Sequence, residues 1–308
     1  MRVAFDSRPA SGPSGIARYA RSLRTALGAE AQRRGGEIVD AHRPRGVDLY
    51  HSPWIDGALL RPRIPMVVTL HDLIPMKRPG EYLRSGLRFR MRYLAVERAS
   101  RVIVPTTTVA EDAVAMLKVD AAHVHVVPEA ADPAFSPRSA AQVAAARKRH
   151  ALPDDYLVWV GGLRHPDPRK RVAALAGTPS KLPVVLVGDP GPWARELPDV
   201  ILTGAVDDDE LAALYTGARA LVFPSDDEGF GLPTVEALAC GTPVVACDVP
   251  ALREVLGNRA TFVDTDDLDG LVAAGAAAER PAPDPPAWTW DDAARATWDV
   301  YELASAQR

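Results

Sequence analysis

Cysteine is nearly absent from this chain, with only Cys240 and Cys247 among its 308 residues. Two thiols at that spacing form neither a C-x-x-C metal or redox site nor the disulfide framework of a small secreted domain, and they suit a reduced cytoplasm. Long apolar runs are lacking as well. No stretch is long enough to span a bilayer, and the segment after Arg2 in MRVAFDSRP is too short for the core of a signal peptide, so a cytoplasmic protein is expected. Charge of one sign is not in excess: the formal net charge is -4, which argues against a protein that binds nucleic acid by displacing counterions over its whole surface. No nucleic-acid partner is expected. There is no short-period repeat and no low-complexity tract beyond alanine richness. No strand-like run is followed by G-x-G-x-x-G with an acidic residue about 20 positions on, which counts against a dinucleotide oxidoreductase.

Apolar material is ample. With 47% hydrophobic and 25% charged residues the chain can bury a substantial core, and its length suits two domains better than one. Short apolar runs bounded by turn residues alternate with stretches of helical period, the pattern of βα units around parallel sheets. Strands are expected at 2–5, 48–50, 66–70, 101–104 and 124–127, and a second series at 156–162, 183–189, 200–204, 220–225, 243–248 and 260–264. Pro137 and Pro153 bracket a junction, so residues 1–140 and 150–286 are expected as two α/β domains. After the Pro-rich 279–288, the final stretch 289–308 reads as a capped helix beginning near Asp291 or Asp292; with no strand to follow it, that helix must pack on a domain already made.

The most informative segment is FPSDDEGFGLPTVEALACGTPVVACD (223–248), which reads strand, Gly-rich turn, helix, turn, strand. Pro233 suits the first helical turn and Gly241 suits its end. Gly229 and Gly231 let the backbone approach a ligand closely, and the N–H groups at the helix start favour oxygen-rich or anionic groups. Glu228 before the turn and Glu236 within the helix are placed to flank one small molecule and to accept from paired hydroxyls. An isolated pair of glutamates beside a tight turn would be ordinary surface residues; the surrounding Gly-Phe-Gly-Leu-Pro argues otherwise. A second segment, WVGGLRHPDPRKRV (159–172), follows a strand and carries Gly161, Gly162, Arg164, Arg169, Lys170 and Arg171. Fixed cations of this kind stabilise a departing diphosphate without a metal, although a solvated basic loop has the same composition.

The run E-G-F-G-L-P-x-x-E-A-L-A-C-G-T-P-V-V closely resembles the glutamate-seven-residues-glutamate signature of glycosyltransferase family 4. The resemblance covers nearly the whole chain, most strongly 156–248 and least 24–48. It implies the GT-B fold: two Rossmann-like α/β domains whose parallel sheets face across a cleft, with the C-terminal helix crossing back to the N-terminal domain. It further implies that residues 1–140 bind the acceptor and 150–286 the nucleotide-sugar donor. On that resemblance Glu228 meets the transferred sugar together with Gly229, Phe230, Gly231 and Leu232, while Glu236 takes the ribose hydroxyls. The segment 159–172 is similar to the family's G-x-x-x-P-R-K, so Arg169 and Lys170 grip the diphosphate; the usual arginine after the strand glycine is replaced by Leu163, which leaves Arg164 a weaker candidate. In VVTLHDLIP (67–75), His71 occupies the place of a family histidine that supports the developing oxocarbenium ion, whereas a lone His-Asp pair is otherwise a structural cap. SGPSGIARYARSL (11–23) looks like the family's glycine loop, with Gly12 and Gly15 near the donor or acceptor.

The implied reaction retains the anomeric configuration and moves a sugar, GDP-mannose first and a UDP-sugar second, to a hydroxyl on a glycan, a lipid-linked molecule or a small molecule. No cofactor and no metal are implied. Asp207, Asp208 and Asp209 precede a helix, and acidic residues at a helix start need no metal to explain them. Residues 76–101 are rich in arginine, with Leu83, Leu87, Met91 and Leu94 at helical spacing; such a face either packs on the core or rests on an anionic membrane at its inner surface. Trp288 and Trp290 read as packing anchors. Two other activities fit the same motifs, a nucleotide-sugar 2-epimerase and a catalytically inactive sugar-binding protein.

Overall fold

The computed structural model describes residues 1–12, 14–82 and 86–306, with the side chains of residues 86–90 also outside the description. The chain forms two compact units, Met1–Ala130 with Trp288–Arg308, and Ala131–Ala287. Unit 1 holds a parallel sheet of β1 (Arg2–Phe5), β2 (Glu37–Asp40), β3 (Leu49–Ser52), β4 (Met66–Thr69), β5 (Arg101–Val104) and β6 (Val124–Val126), in the order β2-β1-β3-β4-β5-β6. Unit 2 holds β7 (Leu157–Val160), β8 (Val184–Val187), β9 (Val200–Gly204), β10 (Ala220–Phe223), β11 (Val244–Cys247) and β12 (Ala260–Val263), in the order β12-β11-β10-β7-β8-β9. Every ladder pair is parallel. The units part at Ala130 and Ala131, ahead of Pro137, because Arg138 already donates to Asp209 at 2.8 Å and takes its own N–H to Thr216 Oγ1 at 3.1 Å.

Interior parallel strands are covered on both faces, and the sequence supplies continuous apolar runs for that purpose. VVLV in β8, ALVF in β10 and VVAC in β11 are buried throughout. Trp159 of β7 is, with Trp298, among the largest fully buried side chains and sits in a cluster with Leu157, Leu163, Leu175, Leu186 and Val222. Cys240 and Cys247 are buried free thiols. Burial is the leading cause that pushes their pKa up, to about 12 and about 11.

The terminal helix Trp290–Ser305 belongs to unit 1, where it lies against the helix Gly15–Arg33. It begins at Trp290, beside the expected Asp291, and its cap is Thr289: the Thr289 hydroxyl accepts from the Asp292 N–H, and the Asp292 carboxylate accepts from the Thr289 N–H. Trp298, Tyr301, Leu23 and Leu27 are fully buried between and beneath the two helices. Each fully buried leucine stabilises by roughly 1.5–3 kcal/mol, so packing outweighs the exposed pairs from Arg34 to Asp299 and Glu302. Trp298 also fixes the entry to β2, since a Cβ on Gly36 would meet its Cη2 at 2.5 Å.

Candidate active site

In an open parallel sheet, ligands bind beyond the carboxyl ends of the strands where the winding reverses, because there the two departing loops diverge. Unit 2 starts at β7, adds β8 and β9 on one side, then returns to place β10, β11 and β12 on the other. Its reversal therefore falls between β7 and β10. The loop that leaves β7 is 161–171, and the loop that leaves β10 is 224–231, so the topology brings together a segment rich in cations and one that carries three carboxylates.

Arg169 joins them. Its guanidinium lies 2.5 Å from Glu228 Oε2 and donates to the Asp227 carbonyl at 3.2 Å, while its own carbonyl accepts from the Asp226 N–H at 3.0 Å. The Arg169 and Glu228 side chains are only 16% and 9% exposed, and Asp167 lies 3.4 Å from Arg169 Nε. Lys170 places its ammonium 6.0 Å from the centre of the Trp159 ring. A Cβ on Gly161 would come within 2.6 Å of Trp159 and 3.4 Å of the Lys170 ammonium, so the bare backbone there makes room for both. Leu163 is fully buried in the core, which accounts for a leucine at that position. Arg164 is not brought to Glu228; it is 74% exposed and paired with Asp189 in the loop after β8.

Gly231 has φ +88° and caps the helix Leu232–Ala239, with Pro233 in its first turn and Gly241 at φ +72° just past its end. Phe230 and Leu232 are buried, and Thr234 Oγ1 donates to the Gly231 carbonyl at 2.7 Å. Gly229 lies in the same turn. Glu236 differs from the expectation of a carboxylate offered to a ligand: it is fully buried, and its Oε2 accepts from the Tyr215 hydroxyl at 3.3 Å. Asp207 caps the helix Asp208–Gly217 by accepting from the Glu210 N–H at 2.8 Å, the work that a helix start asks of it.

In unit 1, β4 runs into His71, which is held from three directions. Its Nδ1 is 3.1 Å from Glu129 Oε1 after β6, its Nε2 is 2.9 Å from the Pro53 carbonyl after β3, and Tyr19 stands edge-on to the ring at 4.6 Å. Burial works to lower the pKa of His71, but the hydrogen bond and charge of Glu129, the Pro53 carbonyl and Asp72 outweigh it and raise it above 6.5. His71 thus pairs with Glu129 rather than Asp72, whose Oδ1 accepts from the Ile74 N–H. Gly12 and Gly15 flank the start of the helix Gly15–Arg33; a Cβ on Gly12 would meet only ordinary contacts and one on Gly15 open space, so folding of the unit does not demand either glycine.

The winding of unit 1 reverses between β1 and β3, and there the structure gathers residues that sequence reasoning missed. Asp6 is fully buried and takes a two-pronged contact from Arg8 at 2.8 and 2.6 Å and a third bond from Trp54 Nε1 at 3.0 Å. Burial alone would raise the pKa of Asp6, but the Arg8 and Trp54 bonds bring it below 3.8. The signal was the D-S-R directly after β1. For Glu129 it was an acidic residue three positions past the end of β6. Among the described side chains of the helix Gly86–Val96, Tyr93, Ala95 and Val96 are buried, whereas Met91 and Leu94 are 37% and 44% exposed, so these two do not form a core-packed stripe. Leu83, Arg84 and the side chains of Leu87, Arg88 and Arg90 lie outside the described residues. No helix among the described residues is long and apolar enough to cross a membrane.

Residues 12–135 match the family described as Glycosyltransferase Family 4, and residues 154–278 match Glycosyl transferases group 1. A D-inositol 3-phosphate glycosyltransferase of Xylanimonas cellulosilytica is 32% identical over 322 residues, covering 88% of this chain and 75% of that protein. The chain belongs to glycosyltransferase family 4. O-antigen chain mannosyltransferase B of Escherichia coli is 26% identical to this glycosyltransferase over 73% of the chain and 63% of its own length. Among solved structures, sucrose-phosphate synthase from Thermosynechococcus elongatus aligns with TM-score 0.70 at 20% identity, covering 100% of this chain and 97% of that one. HepE of Anabaena, solved in complex with UDP-glucose, aligns with TM-score 0.66 at 18% identity over 100% and 98%. These likenesses give the glycosyltransferase the GT-B fold.

Proposed function

We propose that this glycosyltransferase moves a sugar from a nucleoside-diphosphate sugar to an acceptor hydroxyl with retention of configuration. The observation that carries the reading is the pairing of Arg169 with Glu228 at the β7–β10 reversal, with Lys170 beside Trp159 in the same loop as Arg169. Glu228 and the 229–232 backbone hold the transferred sugar, Lys170 compensates the diphosphate as its bond to the anomeric carbon breaks, and Arg169 keeps Glu228 in place while adding to that charge. The acceptor oxygen bonds to the anomeric carbon from the face the diphosphate leaves, and its proton passes to a phosphate oxygen, so no enzyme nucleophile is required. Glu236 takes the ribose hydroxyls, which requires nucleotide entry to expose a carboxylate that is sealed in this state. Likeness to the mannosyltransferase and the T-L-H-D-L-I-P stretch favour GDP-mannose as donor; the UDP-glucose complex of HepE makes a UDP-sugar second.

A panel of nucleotide sugars, assayed for release of the nucleoside diphosphate with and without EDTA, tests this. One donor is expected to turn over, and chelation is expected to leave the rate intact because side chains supply the positive charge. Lys170→Ala should then slow transfer and Glu236→Ala should weaken nucleotide binding, each by about 2–4 kcal/mol. Unchanged turnover and calorimetry in both variants would remove the assignment.

A further inference from the structure

Both ring nitrogens of His71 face atoms that only accept hydrogen bonds. Nδ1 lies 3.1 Å from a carboxylate oxygen of Glu129 and Nε2 lies 2.9 Å from the carbonyl oxygen of Pro53. A neutral imidazole has a single N–H, so against an ionised Glu129 one of these contacts would set lone pair against lone pair. The contact is direct and largely buried, with the His71 and Glu129 side chains 15% and 5% exposed. The proton that satisfies both contacts belongs on the ring rather than on Glu129, because imidazole is ordinarily the stronger base by about 2 pKa units. We propose that Glu129 is a positioning residue that holds His71 as an imidazolium, its two N–H groups given to Glu129 and the Pro53 carbonyl, so that in transfer His71 never acts as a base.

The groups around the ring agree with this. Glu129 arrives from the end of β6, and Asp72 is the neighbouring carboxylate on the same loop. From the helix Gly15–Arg33, Tyr19 presents a ring whose hydroxyl is already joined to Thr69, and His51 on β3 stays neutral. The two charges that act most on His71 among the described residues, Glu129 and Asp72, are both negative. The pair it makes with Glu129 is neutral overall, so it does not oppose positive character at an anomeric carbon. A ring that holds both its protons also cannot take the acceptor's proton, which leaves that step to the departing phosphate.

The role in transfer rests on the function proposed above; the charge state does not. Nitrogen-15 NMR of histidine-labelled protein should show both His71 nitrogens protonated at pH 7, with titration above 6.5. In Glu129→Gln the titration should move to lower pH, and the alkaline limb of the transfer rate, measured with whichever nucleotide sugar turns over, should move with it. Glu129→Asp should restore part of both shifts. A neutral His71 ring in the unmutated protein at pH 7, or an unmoved titration and rate profile in Glu129→Gln, would overturn the proposal. If the titration moves but His71→Gln transfers at the normal rate, the imidazolium stands and the part assigned to His71 in the reaction falls.

Discussion

His51 lies between two hydroxyls, Thr69 Oγ1 at 2.9 Å and Tyr301 Oη at 2.6 Å, and each can either give or take a hydrogen bond. A neutral ring with one N–H and one lone pair satisfies both. Burial first, and charged His71 second, press its pKa down to about 3. His71 meets only acceptors and is driven the other way, so partner chemistry and not residue type fixes the charge of each ring. Gly231 shows the same dependence on setting at the level of the backbone. Its φ of +88° is strained for any L side chain, and a Cβ would approach Leu252 Cδ2 to 2.6 Å. Gly231→Ala is expected to cost about 1–3 kcal/mol in urea denaturation, and to disturb donor turnover more than stability because it moves the turn beside Glu228. An unchanged midpoint would show that the turn tolerates the methyl.

At the scale of elements, the strands with continuous apolar runs were legible because burial on both faces leaves no polar residue in them. β2 was not. Its sequence EIVD carries two apolar residues between acids at the sheet edge, where its partial burial imposes no pattern. The terminal helix was legible both as a helix and in its start near Asp291, while the cap itself, the reciprocal Thr289 and Asp292 bonds, was not. Thr289→Ala removes one of these partners and should cost about 0.5–2 kcal/mol, read as a lower unfolding midpoint for unit 1. A larger loss would mean that the cap also holds Trp290 against Tyr19, 5.6 Å away.

For the molecule as a whole, stability should depend on pH in a direction set by the two histidines. Above pH 6.5 His51 is neutral folded or unfolded; between 6.5 and about 3 only the unfolded chain takes the proton, so stability falls by up to about 1.4 kcal/mol per pH unit. The His71 contribution is complete below 6.5 and is lost as pH rises through its raised pKa, while that of Asp6 is present above 3.8 and is lost below it. The Tm is expected to drop from pH 7 to pH 5, and the slope should flatten in His51→Gln; equal Tm at both values in the unmutated protein would contradict the account. The carboxylate and cation motifs of unit 2 were visible in the sequence because each is contiguous. Their meeting was not, since Arg169 and Asp227 stand 58 residues apart and only the order of strands unites them. Glu129 was passed over for the same reason: its meaning comes from His71, two strands away in the sheet.

The thiols lead to a practical end. With Cys240 and Cys247 both enclosed and poorly ionised near neutrality, neither competes for a maleimide or a spin label in the native state. A cysteine introduced on the surface would carry the only reactive sulfur, so probes of motion can be attached to this enzyme without first stripping its own.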